Sequence, residues 1–170
     1  MDILSHVRSI KDFPEKGIIF RDISPIFFDP IIFKYTIDKM SQNIIQFKPD
    51  YLIGVDSRGF LLSSALSYAT GIPMALIRKK GKLPPPTIRE KYSLEYGEDF
   101  LEISSNLNLK NKGIVIVDDV LATGGTISAC TSLINKLEAK ILGISFLLVL
   151  KDIPKVNEIT KYKISQLLEI

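Results

Sequence analysis

Ile114-Val115-Ile116-Val117-Asp118-Asp119-Val120-Leu121-Ala122-Thr123-Gly124-Gly125-Thr126 is the stretch whose reading decides the fold. Its first four residues are apolar and β-branched, as in a strand covered on both faces. Two carboxylates follow, then a loop of small residues, and a helix is predicted from there to about Leu137. Thr123-Gly124-Gly125-Thr126, between strand and helix, offers adjacent backbone N–H groups, two hydroxyls, and glycines that let the chain approach an anion closely. A helix N-terminus adds a favourable potential for phosphate. Asp118 and Asp119 would repel that phosphate, so they suit ribose hydroxyls, or a Mg²⁺ ion held jointly with a substrate. The G-x-x-x-x-G-K-[ST] pattern is absent, so this is not a Walker A loop.

Outward from this unit, helices and strands alternate in the manner of a parallel sheet. Tyr51-Leu52-Ile53-Gly54-Val55 reads as a second buried strand, followed by a helix from Phe60 to about Thr70 that stops at Gly71. Met74 to Ile77 is a third strand and Ile141 to Leu150 a last, long one. Asp29-Pro30 reads as a helix start, a capping side chain followed by proline, with apolar residues continuing to Phe47. Ile3, Val7 and Ile10 recur at helical spacing and predict a short first helix, while residues 17–28 read as extended and turning. Arg78 to Lys91 reads as neither strand nor helix. Short strands around 92–96 and 100–103 are predicted to pair through Gly97-Glu98-Asp99. The whole is an α/β chain with a central, mostly parallel sheet flanked by helices. In such sheets ligands bind beyond the carboxyl ends of the strands.

The 170 residues, 46% apolar and 24% charged, suit one globular domain over 1–170. A net charge of +3 with no basic tail or striped helix argues against nucleic acid. Cys130 is the only cysteine and His6 the only histidine, which excludes an internal disulfide and a Cys/His zinc site; both residues are read as structural. No apolar run reaches membrane-spanning length and the first residues do not resemble a signal peptide, so a cytoplasmic location without membrane contact is expected.

Two further segments stand at strand ends. Asp56-Ser57-Arg58-Gly59, read alone, is a polar turn. The stretch from Arg78 to Lys91 holds six basic residues against one acid, with Pro84-Pro85-Pro86 in its middle. By itself it would be a solvated loop, but it stands between two strands whose ends face a proposed polyphosphate site.

The run from Val115 to Thr126 resembles the phosphoribosyl pyrophosphate motif of type I phosphoribosyltransferases. Phe20-Arg21-Asp22-Ile23-Ser24-Pro25, Asp56-Ser57-Arg58-Gly59-Phe60, Arg78-Lys79-Lys80-Gly81-Lys82-Leu83-Pro84 and Tyr92-Ser93-Leu94-Glu95-Tyr96-Gly97 are similar to segments of the adenine phosphoribosyltransferase family, in its order. The resemblance implies the fold of that family, with a small N-terminal hood over about 1–28 and a mobile lid loop. It implies transfer of a 5-phosphoribosyl group from 5-phosphoribosyl 1-pyrophosphate to adenine, giving AMP and pyrophosphate. Mg²⁺ would be the cofactor, brought by the substrate and reaching Asp118 and Asp119 at most through water, and a homodimer would be the assembly.

The same resemblance assigns the residues. Asp118, Asp119, Ala122, Thr123, Gly124, Gly125 and Thr126 would bind the sugar phosphate. Ser57 and Arg58 would hold the pyrophosphate beside an unusual cis peptide, and Arg78, Lys79 and Lys82 would be the lid's basic residues. Ile19, Phe20 and Arg21 would contact adenine, and Glu95 would be the catalytic acid–base group. Two other classes stay open at this point, a non-catalytic sensor of the sugar pyrophosphate and a transferase for hypoxanthine, xanthine or guanine.

Overall fold

The computed structural model describes residues 1–94 and 97–170, and Glu95 lies outside them. The chain divides into two compact units, Met1–Lys39 and Met40–Ile170, with the division falling inside a helix.

In the first unit, a single 3-10 turn at Leu4–His6 gives way to strand β1 (Arg8–Lys11), antiparallel to β2 (Ile19–Asp22). The predicted first helix is therefore a single turn followed by the first strand of a hairpin. Of the three apolar residues at helical spacing only Ile3 is buried, and β1 is exposed along its whole length, so that spacing marks no buried face. Local hydrogen bonds close the hairpin instead. Asp12 Oδ1 accepts the N–H of Gly17 at 2.7 Å, and the N–H of Phe13 donates to the carbonyl of Ile18 at 3.3 Å. The segment 17–28 contains β2 and a short helix α1 (Ser24–Phe28). Helix α2 (Pro30–Ile44) starts where the sequence places it: Asp29 Oδ1 accepts the N–H groups of Ile31 and Ile32 at 2.9 and 3.1 Å. A 3-10 turn, Ile45–Phe47, follows it.

The second unit is a seven-stranded sheet. Its strands are β3 (Tyr51–Val55), β4 (Met74–Lys79), β5 (Thr87–Leu94), β6 (Gly97–Ser104), β7 (Gly113–Leu121), β8 (Lys140–Val149) and β9 (Ile164–Glu169). Their order is β5-β6-β4-β3-β7-β8-β9. From β4 to β9 every neighbour is parallel, while β6 pairs antiparallel with both β4 and β5. Helix α3 (Arg58–Thr70) packs against β3 and β7, and α4 (Gly125–Lys136) against β5 and β8. Ile53, Val55, Ile114, Ile116 and Phe146 from the strands meet Leu133 and Ile134 from α4 in one buried core. The continuous apolar runs are thus strands covered on both faces.

Four boundaries differ from the sequence reading. Arg78 and Lys79 finish β4 and Thr87–Leu94 form β5, so only residues 80–86 of the basic stretch lie outside strands. The β5–β6 ladder runs to Leu94↔Gly97, which puts Gly97 and Asp99 in a strand rather than in the turn. Strand β7 continues beyond Val117, because the long β8 extends its ladder through Asp118↔Phe146 to Leu121↔Val149. Finally β8 is not the last strand. Beyond Leu150, β9 adds a parallel edge, with Ile144 to Val149 of β8 facing Ile164 to Glu169. Among the described residues no helix is long and apolar enough to cross a membrane.

Candidate active site

Because β4, β3 and β7 are adjacent and parallel, their carboxyl ends lie side by side. Those ends carry Arg78 and Lys79, the Asp56-Ser57-Arg58 turn, and the Asp118-Asp119 pair. The topology therefore gathers three segments that are 20 to 60 positions apart along the chain.

The turn after β3 crowds against β7. A Cβ on Gly59 would sit 2.8 Å from the carbonyl oxygen of Val117 and 2.9 Å from Asp118 Oδ1, so only glycine allows this approach. Arg58, the first residue of α3, places its Nε 2.6 Å from Asp119 Oδ2. The pair is close in distance without hydrogen-bond alignment, and Asp119 Oδ2 is a buried oxygen that accepts no aligned hydrogen bond. The Asp56–Ser57 peptide is cis, at the turn where the resemblance implies one.

Asp118 Oδ1 accepts the N–H of Asp119 at 2.9 Å. Burial of its carboxyl, and then the negative charge of Asp119, push its pKa well above the ordinary carboxylate range. Two adjacent acids at a strand end, one of them reluctant to ionise, fit a site completed by hydroxyl groups or a cation. Cys130, on α4, is buried and its thiol is pushed upward, first by that burial and then by Asp118. It is a core residue, in keeping with the structural reading.

Downstream, Ala122 and Thr123 form the loop, Gly124 stands at the N-cap of α4, and Gly125 and Thr126 open the helix. Gly124 has φ +89°, a conformation that L side chains rarely adopt, and a Cβ there would also press on the tip of Ile159, 2.4 Å from its Cδ1. Thr123 is pinned by its carbonyl, which accepts the N–H of Val156 at 2.9 Å. The helix N-terminus therefore presents its first N–H groups next to the acid pair, the arrangement suited to an anionic phosphate.

On the other flank, Asp56 Oδ2 accepts from Arg78 Nε at 3.3 Å and from the N–H of Lys79 at 3.4 Å. Arg78 also lies over the Phe60 ring, 5.6 Å from its centroid, and its Nη1 donates to the carbonyl of Lys82 at 3.1 Å. Ser57 and Arg58 thus follow the end of β3, while Arg78 and Lys79 finish the neighbouring β4 and Arg78 holds the Lys82 carbonyl. Ile19, Phe20 and Arg21 lie on β2 of the first unit; there Phe20 meets Phe13 edge to face at 5.2 Å, and Arg21 bonds the Ser9 hydroxyl.

A family model described as the phosphoribosyl transferase domain matches residues 31–167. The chain belongs to the phosphoribosyltransferase family. An adenine phosphoribosyltransferase of Brachyspira hyodysenteriae is 45% identical over 99% of both chains. Among solved structures, the adenine phosphoribosyltransferase of Thermoanaerobacter pseudethanolicus superposes with a TM-score of 0.94 at 39% identity, covering 99% of this chain and 98% of its own. The Giardia lamblia enzyme, solved with 9-deazaadenine, gives a TM-score of 0.92 at 25% identity, covering 99% and 96%.

Two residues of this phosphoribosyltransferase escaped the sequence reading. Glu102, on β6, is fully buried, and Lys136, at the end of α4, reaches the Arg89 carbonyl at 3.2 Å and Glu90 Oε2 at 2.5 Å. For Glu102 the sequence does hold a signal. In Phe100-Leu101-Glu102-Ile103 it alternates with apolar residues. Alternation alone does not reveal that the second face is covered as well.

Proposed function

We propose that this chain transfers the 5-phosphoribosyl group of 5-phosphoribosyl 1-pyrophosphate to adenine, forming AMP and pyrophosphate in purine salvage. The observation that carries the reading is the approach of Arg58 to Asp119 at the head of the Thr123–Thr126 loop. It puts a polyanion-binding guanidinium beside an acid pair suited to ribose hydroxyls and a helix N-terminus suited to a phosphate. The names of the full-length relatives supply the base.

In this reading the N–H groups from Thr123 to Thr126, with Ala122 and Gly124 giving close approach, hold the 5′-phosphate. Asp118 and Asp119 orient the ribose hydroxyls. Ser57, Arg58, Arg78, Lys79 and Lys82 bind the pyrophosphate and favour its departure. A ring nitrogen of adenine forms the new bond to the anomeric carbon as the carbon–oxygen bond to pyrophosphate breaks, the electron pair leaving with that oxygen. Fixing this geometry and neutralising the leaving group are the protein's main contributions. The proton released from the purine passes to Glu95, and Ile19, Phe20 and Arg21 are assigned to the base, both by resemblance.

The donor set fits Mg²⁺. Asp118 and Asp119 bring hard carboxylate oxygens to the site, and because Asp119 Oδ2 already stands 2.6 Å from Arg58 Nε, they would reach the ion through water. We assign the ion's direct ligands to the substrate and to water. When bound, the ion would neutralise pyrophosphate and ribose oxygens. We further read 1–170 as one phosphoribosyltransferase domain that works as a cytoplasmic homodimer.

The test is an assay of the purified protein with the sugar pyrophosphate, Mg²⁺ and each of adenine, hypoxanthine, guanine and xanthine. AMP should form from adenine, stop after dialysis against a chelator and return with Mg²⁺. Faster turnover of hypoxanthine, or undiminished AMP formation without metal, would overturn the reading.

A further inference from the structure

Glu102 presents a buried negative charge on β6, three strands away from the acid pair on β7. It is 0% exposed, on β6, directly opposite Arg78 of β4 on one side and Arg89 of β5 on the other. A carboxylate is not left in such a place without partners. Its partners are unusual for a strand residue. Oε1 accepts the N–H groups of Lys82 and Leu83, at 3.0 and 3.1 Å, and both belong to the loop between β4 and β5. Oε2 accepts from Arg89 Nε at 3.1 Å, with the Thr87 hydroxyl at 3.5 Å. Burial alone would raise the Glu102 pKa, yet the N–H of Leu83, the Arg89 guanidinium and the N–H of Lys82 together hold it below the usual value.

These bonds define the path of the loop. On its two sides the chain is tied to the sheet, through Lys80 N–H to the Phe100 carbonyl at 3.0 Å and Ser105 N–H to the Pro86 carbonyl at 3.1 Å. Between them Lys82 is held at both ends of its backbone. Glu102 takes its N–H, and Arg78 donates to its carbonyl at 3.1 Å, while Arg78 is itself held by Asp56 after β3. Two carboxylates, Asp56 and Glu102, thus fix where Lys82 leaves the sheet relative to the Ser57-Arg58 turn.

We infer that Glu102 is a positioning residue for the sugar pyrophosphate: it touches no substrate, but shapes the Lys79–Leu83 turn so that Lys79 and Lys82 are presented to the pyrophosphate. The inference rests on the proposed reaction. It separates Glu102 from a residue that only stabilises the fold, because its effect should fall on one substrate.

The experiment compares wild type with Glu102→Gln and Leu83→Pro. The first removes the charge and faces the two N–H groups and Arg89 with an amide. The second deletes one of the two anchoring N–H groups from a loop that already continues into Pro84, and leaves the core side chain in place, so it remains usable if Glu102→Gln fails to fold. Three quantities are read: KM for the sugar pyrophosphate, KM for adenine, and amide hydrogen exchange in the peptide containing Lys82 and Leu83. Glu102→Gln should raise KM for the sugar pyrophosphate about tenfold or more, leave KM for adenine within about twofold, and speed exchange in that peptide. Leu83→Pro should shift the same KM in the same direction by about threefold.

A Glu102→Gln protein with faster exchange and a lower melting temperature but unchanged sugar-pyrophosphate KM would overturn the inference, reducing Glu102 to a stabilising residue. So would a rise shared equally by both KM values. A wild-type protein that makes no AMP instead overturns the proposed reaction and this inference with it. The two failures are distinguished by the wild-type assay.

Discussion

Arg58 Nε stands 2.6 Å from Asp119 Oδ2, joining the start of α3 to the last third of β7. The Arg58 side chain is about a third exposed and that of Asp119 almost buried, so the ion pair holds the guanidinium at the edge of the site. A planar cation fixed in this way is preorganised for two phosphate oxygens, which a lysine ammonium cannot match. Arg58→Lys and Arg58→Ala should therefore both lower kcat/KM for the sugar pyrophosphate. Hydrogen bonds to charged groups are worth about 1.5–3 kcal/mol, or roughly 10- to 100-fold. Steady-state kinetics check this, and a fully active Arg58→Ala would remove Arg58 from the site.

Gly124→Ala should damage the phosphate loop. The left-handed conformation at φ +89° costs an L residue about 1–2 kcal/mol, and the new methyl would also press on Ile159, itself fully buried. The expected result is a melting temperature lower by several degrees together with weaker sugar-pyrophosphate binding in calorimetry. Unchanged affinity in the folded variant would place the 5′-phosphate elsewhere.

Trypsin reads the basic stretch directly. The bonds after Lys80 and Lys82 lie in residues outside the strands, whereas those after Lys79, Arg89 and Lys91 lie in β4 or β5. Cleavage of the free protein should begin at Lys80 or Lys82 and slow when sugar pyrophosphate and Mg²⁺ are added. Mass spectrometry of the fragments gives the order, and equal rates with and without ligand would argue against a closing lid.

Glu95→Gln should lower kcat by about a hundred- to ten-thousand-fold, the usual contribution of a positioned acid–base group. Sugar-pyrophosphate affinity should stay near normal, since the proton handled belongs to the base. Full kcat in this variant would return Glu95 to an ordinary polar residue.

Asp22 makes the stability of the N-terminal hairpin pH-dependent. Ser24, through its hydroxyl and its backbone N–H, and then Arg8 hold the folded pKa at about 2, against the burial that would raise it. A depressed carboxylate stabilises the fold above its unfolded pKa of about 3.9, and that contribution disappears as the pH falls through the folded value. Asp22→Asn should therefore melt below wild type at pH 7, with the gap closing between about pH 4 and pH 2. A gap independent of pH would mean the charge of Asp22 is not what stabilises the hairpin.

Patterns confined to a few neighbouring residues were legible in advance. The β-branched run before Asp118, the Asp29-Pro30 helix start and the end of α3 at Gly71 each appear in the structure at or within a residue or two of the expected place. The alternation of helices and apolar strands was likewise enough for a mostly parallel sheet. The spacing of Ile3, Val7 and Ile10 predicts a helix where β1 stands, because apolar spacing in an exposed segment carries no information about burial, whereas β2 falls in the stretch read as extended. β9 was missed because its residues are mostly half-buried and mixed in polarity, and it is a strand only because β8 offers it an edge.

By itself the sequence determined the local chemistry: where an anion could meet a helix N-terminus, which acids stand before it, and that the chain resembles phosphoribosyltransferases. Local hydrogen bonding, capping and side-chain periodicity act over a few residues, so a linear reading reaches them. Only the tertiary structure decided which partners those groups have. Arg58 meets Asp119, Asp56 meets Arg78, and Glu102 meets Lys82, Leu83 and Arg89, across 13 to 61 positions of chain. Whether an acid in a strand is a solvated surface group or a buried anchor depends on the donors that neighbouring strands bring to it. Those donors are set by strand order and register, which long-range packing selects.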